Sequence, residues 1–499
     1  MPTAIKSLLF LFLLGTPFLS EAKVDKLRCM WRTDPATSMV IGWNQISGNS
    51  PEVCFGEIDG GSDTNFYPTC AQPSRSIQFK GMNNYFVHLE NLTPDTEYFF
   101  VIVDSEGTSR RYSFKTVPDS PEIPLSIVAG GDSRNYRNAR QRANQMVSKL
   151  RPDFVMFGGD MTGGDSDREW REWMDDWQLT ITEDGHMTPI IATRGNHEYS
   201  NQTIAELFDV SSRSIYYKLT FGGNLLEVYT LNSLIASGGD QKLWLKENLE
   251  NSGDITWKMA QYHFAIRPHT ARKSERNDQR SNWAKYFHEF NMNLVVESDA
   301  HCVKTTWPIS PSTEPGSEEG FIRDDEGGTV YVGEGCWGAP LRKSNDDKNW
   351  TRNSGSFNQF KWIFVDGNHI EVRTVKTDNA ASVASVAPFD RFSEPAGIDL
   401  WNPSNGPVLS IYNSSNSNIT QSNSSFLIPR TPVSIKNPIA EQVEEGVRLS
   451  WDVINNSSIS NSFLVQRSQE KGQFETLAKV EGTKSELANF SILDVGASI

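Results

Sequence analysis

Cysteine is scarce, five in 499 residues, and no two of them stand in C-x-x-C spacing. That argues against a thiolate zinc site and against thioredoxin-type chemistry. The odd count leaves at least one thiol unpaired among Cys29, Cys54, Cys70, Cys302 and Cys336. A Cys54–Cys70 bridge across a loop is the pairing expected first, and Cys302–Cys336 the second. Basic blocks are missing too. With 47 Lys and Arg against 62 Asp and Glu, the formal charge is −15. A chain of that sign without a Lys/Arg run carries no nucleic-acid-binding domain and suits neither nonspecific nucleic-acid binding nor an anionic membrane. Any phosphate-like substrate must be captured by local cations against the overall field. Long apolar runs are absent apart from Ser7 to Leu19, which follows Lys6 and precedes Ser20-Glu21-Ala22. This is the pattern of a signal peptide over residues 1–22, too short for a stable span. The expectation is a secreted protein, extracellular or periplasmic, with no membrane span in the mature chain.

What is present is enough for several packed cores, with 37% hydrophobic and 11% aromatic residues. The length suggests roughly three domains. Residues 23–118 alternate short β-prone runs with turns ("SMVIGWNQ", "YFVHLENL", "TEYFFVIVDSEG"), the texture of a β-sandwich. "LENLTPDTEYFFVIV" resembles the corner of a fibronectin type III module, in which Tyr98 packs back on the turn at Thr93-Pro94-Asp95. Trp43 is then an inward aromatic. After the proline-rich linker "PDSPEIP", the pattern changes to α/β over residues 119–378. "LSIVAGGD", a helix with Ala139, Ala143, Met146, Val147 and Leu150 on one face, and "PDFVMFGGD" read as a β-α-β unit. Residues 379–430 are rich in Ser, Asn, Ala and Pro and read as a flexible linker. Residues 431–499 return to sandwich texture, a partial fibronectin-like β domain without a strong final strand.

In the middle segment five apolar runs end on hard or borderline metal ligands. They deliver Asp132 ("AGGDSRN"), Asp160 ("FGGDMTGG"), Asn196 with His197 ("TRGNHEY"), His263 ("AQYHFA"), and Asp299 with His301 ("ESDAH"). An Asp after Gly-Gly is ordinarily a turn or cap residue. Five such ends in order point instead to the crevice at the carboxyl edge of an α/β sheet, where ligands bind.

Order and wording resemble the calcineurin-like metallophosphoesterases, and among them the purple acid phosphatases, over about residues 25–376. Gly195 to Glu198 match that family's Gly-Asn-His-Glu outright. The resemblance implies an N-terminal β-sandwich, a central α/β metallophosphoesterase domain and two divalent or trivalent metal ions. Asp160 would bridge the ions, Asp132 and His301 would complete one shell, and Asn196, His263 and Asp299 the other. His197 would act as the outer-sphere imidazole, with His269 in "IRPHT" a second such group. Oxygen and nitrogen donors without thiolate suit Fe, Zn, Mn or Ca/Mg.

The sequence also departs from the family. Gly163 replaces the tyrosine that gives the purple enzymes their colour. Asp299 stands in place of the first His of Gly-His-x-His. Arg134 occupies a position where the wider superfamily has a ligand His, and a guanidinium there is sensible only if it points at phosphate. Arg194, Arg267 and Lys304 are further candidate substrate cations, and Glu334 or Trp337 candidate pocket edges. The expected activity is hydrolysis of a small phosphate ester, most simply by an acid phosphatase-like phosphomonoesterase. A phosphodiesterase or nucleotidase is the alternative of the same class. A degenerate enzyme whose sandwiches contact glycan or a cell surface is the alternative of another class. The helical stretch "DREWREWMDDW" is read as packing beside the site.

Overall fold

The computed structural model describes residues 21–388 and 390–413, then the strand segments 434–443, 446–454, 462–470, 473–481 and 487–495. The signal-peptide pattern at residues 1–20 lies outside the described residues. The chain divides into a unit ending at Asn418 and one beginning at Ile419.

The first unit opens with two antiparallel sheets. One orders Val24–Met30, Met39–Gln45, Met82–Leu89 and Arg75–Phe79, and the other is built around Glu52–Gly56 and Glu97–Asp104. Burial alternates along Arg75–Phe79, as the period of two demands, whereas Met39–Gln45 is buried at nearly every residue. Trp43 is fully buried, and the Tyr98 hydroxyl accepts the Thr93 N–H at 2.9 Å, closing the expected corner. Cys54 and Cys70 form the disulfide across adjacent strands. Trp31 leaves this sandwich to pack edge-on against Phe154 and Phe221 of the following domain. Asp209 ties the same seam, accepting from Arg75 at 2.9 Å and lying 2.6 Å from His88.

The α/β domain is built on two seven-stranded sheets. In the first, Leu125–Gly130, Phe154–Phe157 and Ile190–Ala192 run parallel, and Gln359–Val365 and His369–Lys376 extend it antiparallel. Helix Arg137–Leu150 makes the β-α-β crossover and buries Ala139, Ala143, Met146, Val147 and Leu150. The second sheet has Leu226–Thr230, Trp257–Phe264, Leu294–Ser298 and Val330–Gly333 as its parallel centre. A Cβ on Gly158 would lie 2.0 Å from Ser298 Oγ and 3.1 Å from Ser298 Cβ, so glycine here lets the two sheets approach closely. This closure puts the ligand-bearing ends of both sheets together.

Two expectations about the later chain change. Asp399–Leu400 and Val408–Tyr412 pair with His369–Lys376, so part of the expected linker is a sheet edge. Its Ser/Asn-rich composition hid the alternation in "VLSIY". The tract at residues 414–430 lies outside the described residues. In the second unit, Ser434–Val443, Gly446–Ile454 and Leu487–Val495 form an antiparallel sheet, and Ser462–Glu470 pairs with Gln473–Glu481. The last strand pairs along its whole length, so a full final strand is present where the sequence suggested none.

Candidate metal centre

Three of the five apolar strands stop where the backbone turns into the left-handed region. Asp132, Asp160, Asp299 and His301 have φ of 60°, 53°, 69° and 54°. For a non-glycine residue this costs about 1 kcal/mol or more, so the surroundings must hold it. They do so through the backbone. Asp132 N–H donates to Gly159 O at 2.9 Å, and Ser133 and Arg134 N–H both donate to Asp160 O at 3.1 Å. Buried Glu198 accepts the N–H groups of Asp160, Met161 and Gly195 at 2.9, 2.8 and 2.7 Å. Gly195 in turn lies so close to Asp160 that a Cβ would meet its amide nitrogen at 2.3 Å. Behind these loops, the Trp173 indole donates to Ser133 Oγ at 3.0 Å and Trp170 to Asp165 at 2.7 Å. The aromatic helix Asp167–Trp177 therefore braces these loops.

The structure gathers all six expected ligand residues. Donor atoms of Asp132, Asp160 and His263 all lie within 4.8 Å of one another. His263 Nε2 is 3.3 Å from Asp160 Oδ1, 3.2 Å from Asn196 Oδ1 and 3.6 Å from Asp299 Oδ1. His301 Nε2 is 3.1 Å from Asp132 Oδ1. The ring orientations agree on one arrangement. Nδ1 of His263, His301 and His197 donates to the carbonyls of Gly158, Pro340 and Gly163 at 2.8, 2.9 and 2.6 Å. A carbonyl only accepts, so Nδ1 carries the proton, and a neutral ring then turns its Nε2 lone pair inward. This is the arrangement in which ligating histidines are held in metalloproteins.

Electrostatics favour a cation at the centre. Burial opposes charge on His263, yet Asp160, Asp132 and Asp299 hold its pKa up to about 9. Burial also pushes the Asp160 carboxyl up, reinforced by Asp132 after the relief from His263. Asp132 Oδ1, fully buried, has no hydrogen-bond partner despite facing His301. An orphaned carboxylate oxygen of that kind is costly unless something positive meets it. The centre opens outward at exposed Asn196 and half-buried His197, whose Nε2 lies 3.8 Å from Asp160 Oδ2.

Arg134 stays beside the centre. Its amide is tied to Asp160 O, and among the described residues its half-buried guanidinium makes no hydrogen bond or ion pair. Other expected cations are committed elsewhere. Arg267 is buried on Glu319 O, Ile266 O and Asn277 Oδ1. Arg194 holds its own loop through Glu198 O, Asn201 Oδ1 and Tyr199 O. Buried Lys304 pairs with Glu297 and with Glu334. His269 is buried with its ring nitrogens on Arg267 O and Thr351 Oγ1, at 3.3 and 2.7 Å, which leaves neither for a substrate. Its sequence offset from His263 carried it past the centre. Glu334 and Trp337 are also buried, packing the loop behind Asp132 instead of edging a pocket. Cys302 and Cys336 are free thiols. Cys302 Sγ donates to Glu334 at 3.2 Å, a buried acceptor that Cys spacing could not reveal.

Lys273 and Arg342 were not visible as site residues. Lys273 Nζ donates to Asp299 Oδ1, and Arg342 Nη1 to Asp299 O at 2.7 Å. No motif marks either residue, and only the fold brings them to Asp299. Gly163 has a local explanation. Its N–H donates to Asn135 Oδ1 at 3.0 Å, and a Cβ there would stand 2.3 Å from Asn135 Nδ2. A side chain at 163 would have to displace the exposed Asn135 amide that caps this loop.

Comparisons with known proteins agree with this architecture. Residues 24–116 match the family model described as purple acid phosphatase, N-terminal domain, and residues 127–303 that of calcineurin-like phosphoesterase. An uncharacterised protein of Mycobacterium tuberculosis is 25% identical over 343 residues, 57% of this chain and 63% of that protein. The chain thus spans less than two thirds of the curated relatives it matches. Among solved structures, the purple acid phosphatase from yellow lupin (Lupinus luteus) seeds superposes with a TM-score of 0.61 at 14% identity, covering 72% of each chain. PhoD superposes with a TM-score of 0.56 at 11% identity, over 78% of this chain and 90% of that one. At such identities the likeness is one of fold.

Proposed function

We propose, for a chain that carries a purple acid phosphatase N-terminal domain and a calcineurin-like phosphoesterase domain, that it is a metal-dependent hydrolase of phosphate esters, most simply a phosphomonoesterase. The observation that carries the reading is the convergence of Asp132, Asp160 and His263, with Asn196 and Asp299 beside His263 Nε2 and His301 Nε2 beside Asp132, both histidines anchored through Nδ1 on backbone carbonyls. The orphaned Asp132 Oδ1 and the oxygen–nitrogen donor set fit hard or borderline ions. Asp132, Asp160 and His301 would hold one ion, and Asp160, Asn196, His263 and Asp299 the other. Bound there, a pair of ions would supply Lewis acidity toward a phosphoryl oxygen and toward a water.

The chain's own residues do the rest. Arg134, without another partner, is placed to receive the phosphate as a planar fork. His197 stands at the open side with Nδ1 anchored. Once protonated, its Nε2 donates to the leaving oxygen or to the phosphate. Glu198 and the aromatic helix hold Asp160 and Asp132 in their left-handed conformations, so the donors are preorganised. The signal-peptide pattern supports export. Among the described residues no helix is long and apolar enough to cross a membrane.

The test is phosphate release from an aryl monoester by the mature protein supplied with Mn, Zn or Fe, with metal content measured alongside. No release with any of these ions defeats the reading. Faster turnover of a bis-aryl ester than of the monoester reassigns it to a phosphodiesterase. Fewer than about one ion per chain at saturating metal favours a surface-binding role for the sandwiches.

A further inference from the structure

We propose that Lys273 is a substrate-binding residue that competes with the second metal ion for Asp299 and turns to the substrate's phosphate group when the ion takes that carboxylate. The inference rests on the metal reading above.

Asp299 replaces a neutral histidine of the family pattern with an anion, and the structure shows what accompanies the change. Its Oδ1 accepts from Lys273 Nζ, and the same Oδ1 lies 3.6 Å from His263 Nε2, on the side facing the ligand cluster. The ammonium therefore sits on the atom that a second ion needs. Lys273 reaches it from solvent, with its side chain 25% exposed. Its backbone is fixed on the turn after the His263 strand, where its N–H donates to Thr270 O at 3.1 Å and the neighbouring Ala271 N–H to Asn345 Oδ1. Among the described residues its ion pair is with Asp299 alone.

The remaining contacts of Asp299 come from other directions. Its N–H donates to Asp132 Oδ2 at 2.8 Å and its carbonyl accepts from Arg342. These bonds hold the backbone in place whichever cation the carboxylate binds. A monovalent and a divalent cation cannot share one oxygen without strong repulsion. An ion on Oδ1 displaces the ammonium, and the flexible four-carbon stem of Lys273 carries it toward the open side, where the phosphate enters.

Charge counting gives the exchange a purpose. Three carboxylates against two divalent ions leave a single positive charge toward a phosphate dianion, and Lys273 adds to it beside Arg134. Lys273 is the cation in contact with the added anion, so its release would act in addition to Arg134.

The experiment uses metal-stripped full-length protein and the Lys273→Met variant, titrated calorimetrically with Mn2+ and then, loaded with Mn2+, with inorganic phosphate. The first Mn2+ step should be unchanged. The second should tighten at least about tenfold in the variant, and phosphate should bind about tenfold more weakly. Lys273→Gln, which keeps polarity without charge, should show both shifts. Second-step affinity within roughly twofold of wild type overturns the competition, and phosphate affinity within that range overturns the transfer to phosphate. Failure of wild-type protein to bind Mn2+ at either step would instead count against the metal reading itself.

Discussion

Asp176 offers the sharpest test of how the centre is held. It lies at the buried end of the aromatic helix, 2% exposed, and accepts from Arg140, itself 2% exposed, and from Arg137 and Gln141 at 2.7 Å. Arg140 also donates to Arg134 O, two residues beyond Asp132. Burial raises the Asp176 carboxyl's pKa, but Arg137, Gln141 and Arg140 together hold it below the usual value. Asp176→Ala strands the Arg140 guanidinium in the interior. Breaking one side of a buried pair costs about 3–5 kcal/mol, whereas exposed Arg137 adds little. The assay is urea unfolding followed by tryptophan fluorescence, since Trp173 and Trp177 stack at 5.1 Å on the same helix. The double variant Arg140→Met/Asp176→Leu should recover most of the loss, because no charge is then buried alone. A folded pKa below the unfolded one means this stability is present above the usual carboxylate range and lost as pH falls through the folded value. Asp176→Ala should flatten that acid limb. Asp176→Ala within about 0.5 kcal/mol of wild type, or a double variant no more stable than the single, would refute the reasoning.

Two other outcomes follow from the same structure. Arg134→Ala should raise KM for a phosphate monoester by about tenfold while leaving metal content unchanged, as expected when a charged fork to phosphate is lost; an unchanged KM removes Arg134 from the site. Fully buried Lys361, which donates to Thr374 Oγ1 at 2.9 Å, is pushed by burial down to about 7, despite opposing pulls from Cys336 and Glu334. Its penalty is complete below that pH and relieved as pH rises toward the ordinary lysine value, about 5 kcal/mol at most. Lys361→Met should therefore be more stable than wild type near neutrality, with the gap closing as pH rises toward 10, and a pH-independent gap in unfolding free energy would contradict this.

Much of the centre was legible because its ligands sit at strand ends. Apolar runs closed by Gly-Gly-Asp or Gly-Asn-His-Glu mark both the strand and the turn that exposes its last polar residue, and Asp132, Asp160, Asn196, His197, His263, Asp299 and His301 meet where that pattern placed them. Charge alone was a poorer guide. Arg194, Arg267 and Lys304 are as basic as Arg134, but Arg194 is taken up by its own loop, and Arg267 and Lys304 by buried networks that include the distant Glu319 O and Glu334. His269 failed for the same reason, since Thr351 lies far along the chain. Conversely, nothing near Lys273 signals that it meets Asp299, 26 residues on.

By itself the sequence determined the periodicities and the turn chemistry. The alternation of the sandwich strands, the helical face from Ala139 to Leu150, the Tyr98 corner and the ligand order all depend on residues close together in the chain. Only the tertiary structure decided which polar groups remain free. Closure of the two sheets over Gly158 fixes which side chains share a low-dielectric interior, and there each charge must find a partner or an ion. That competition committed Lys304 to Glu297 and Glu334, left Asp132 Oδ1 facing His301 without a hydrogen bond, and set Lys273 on Asp299.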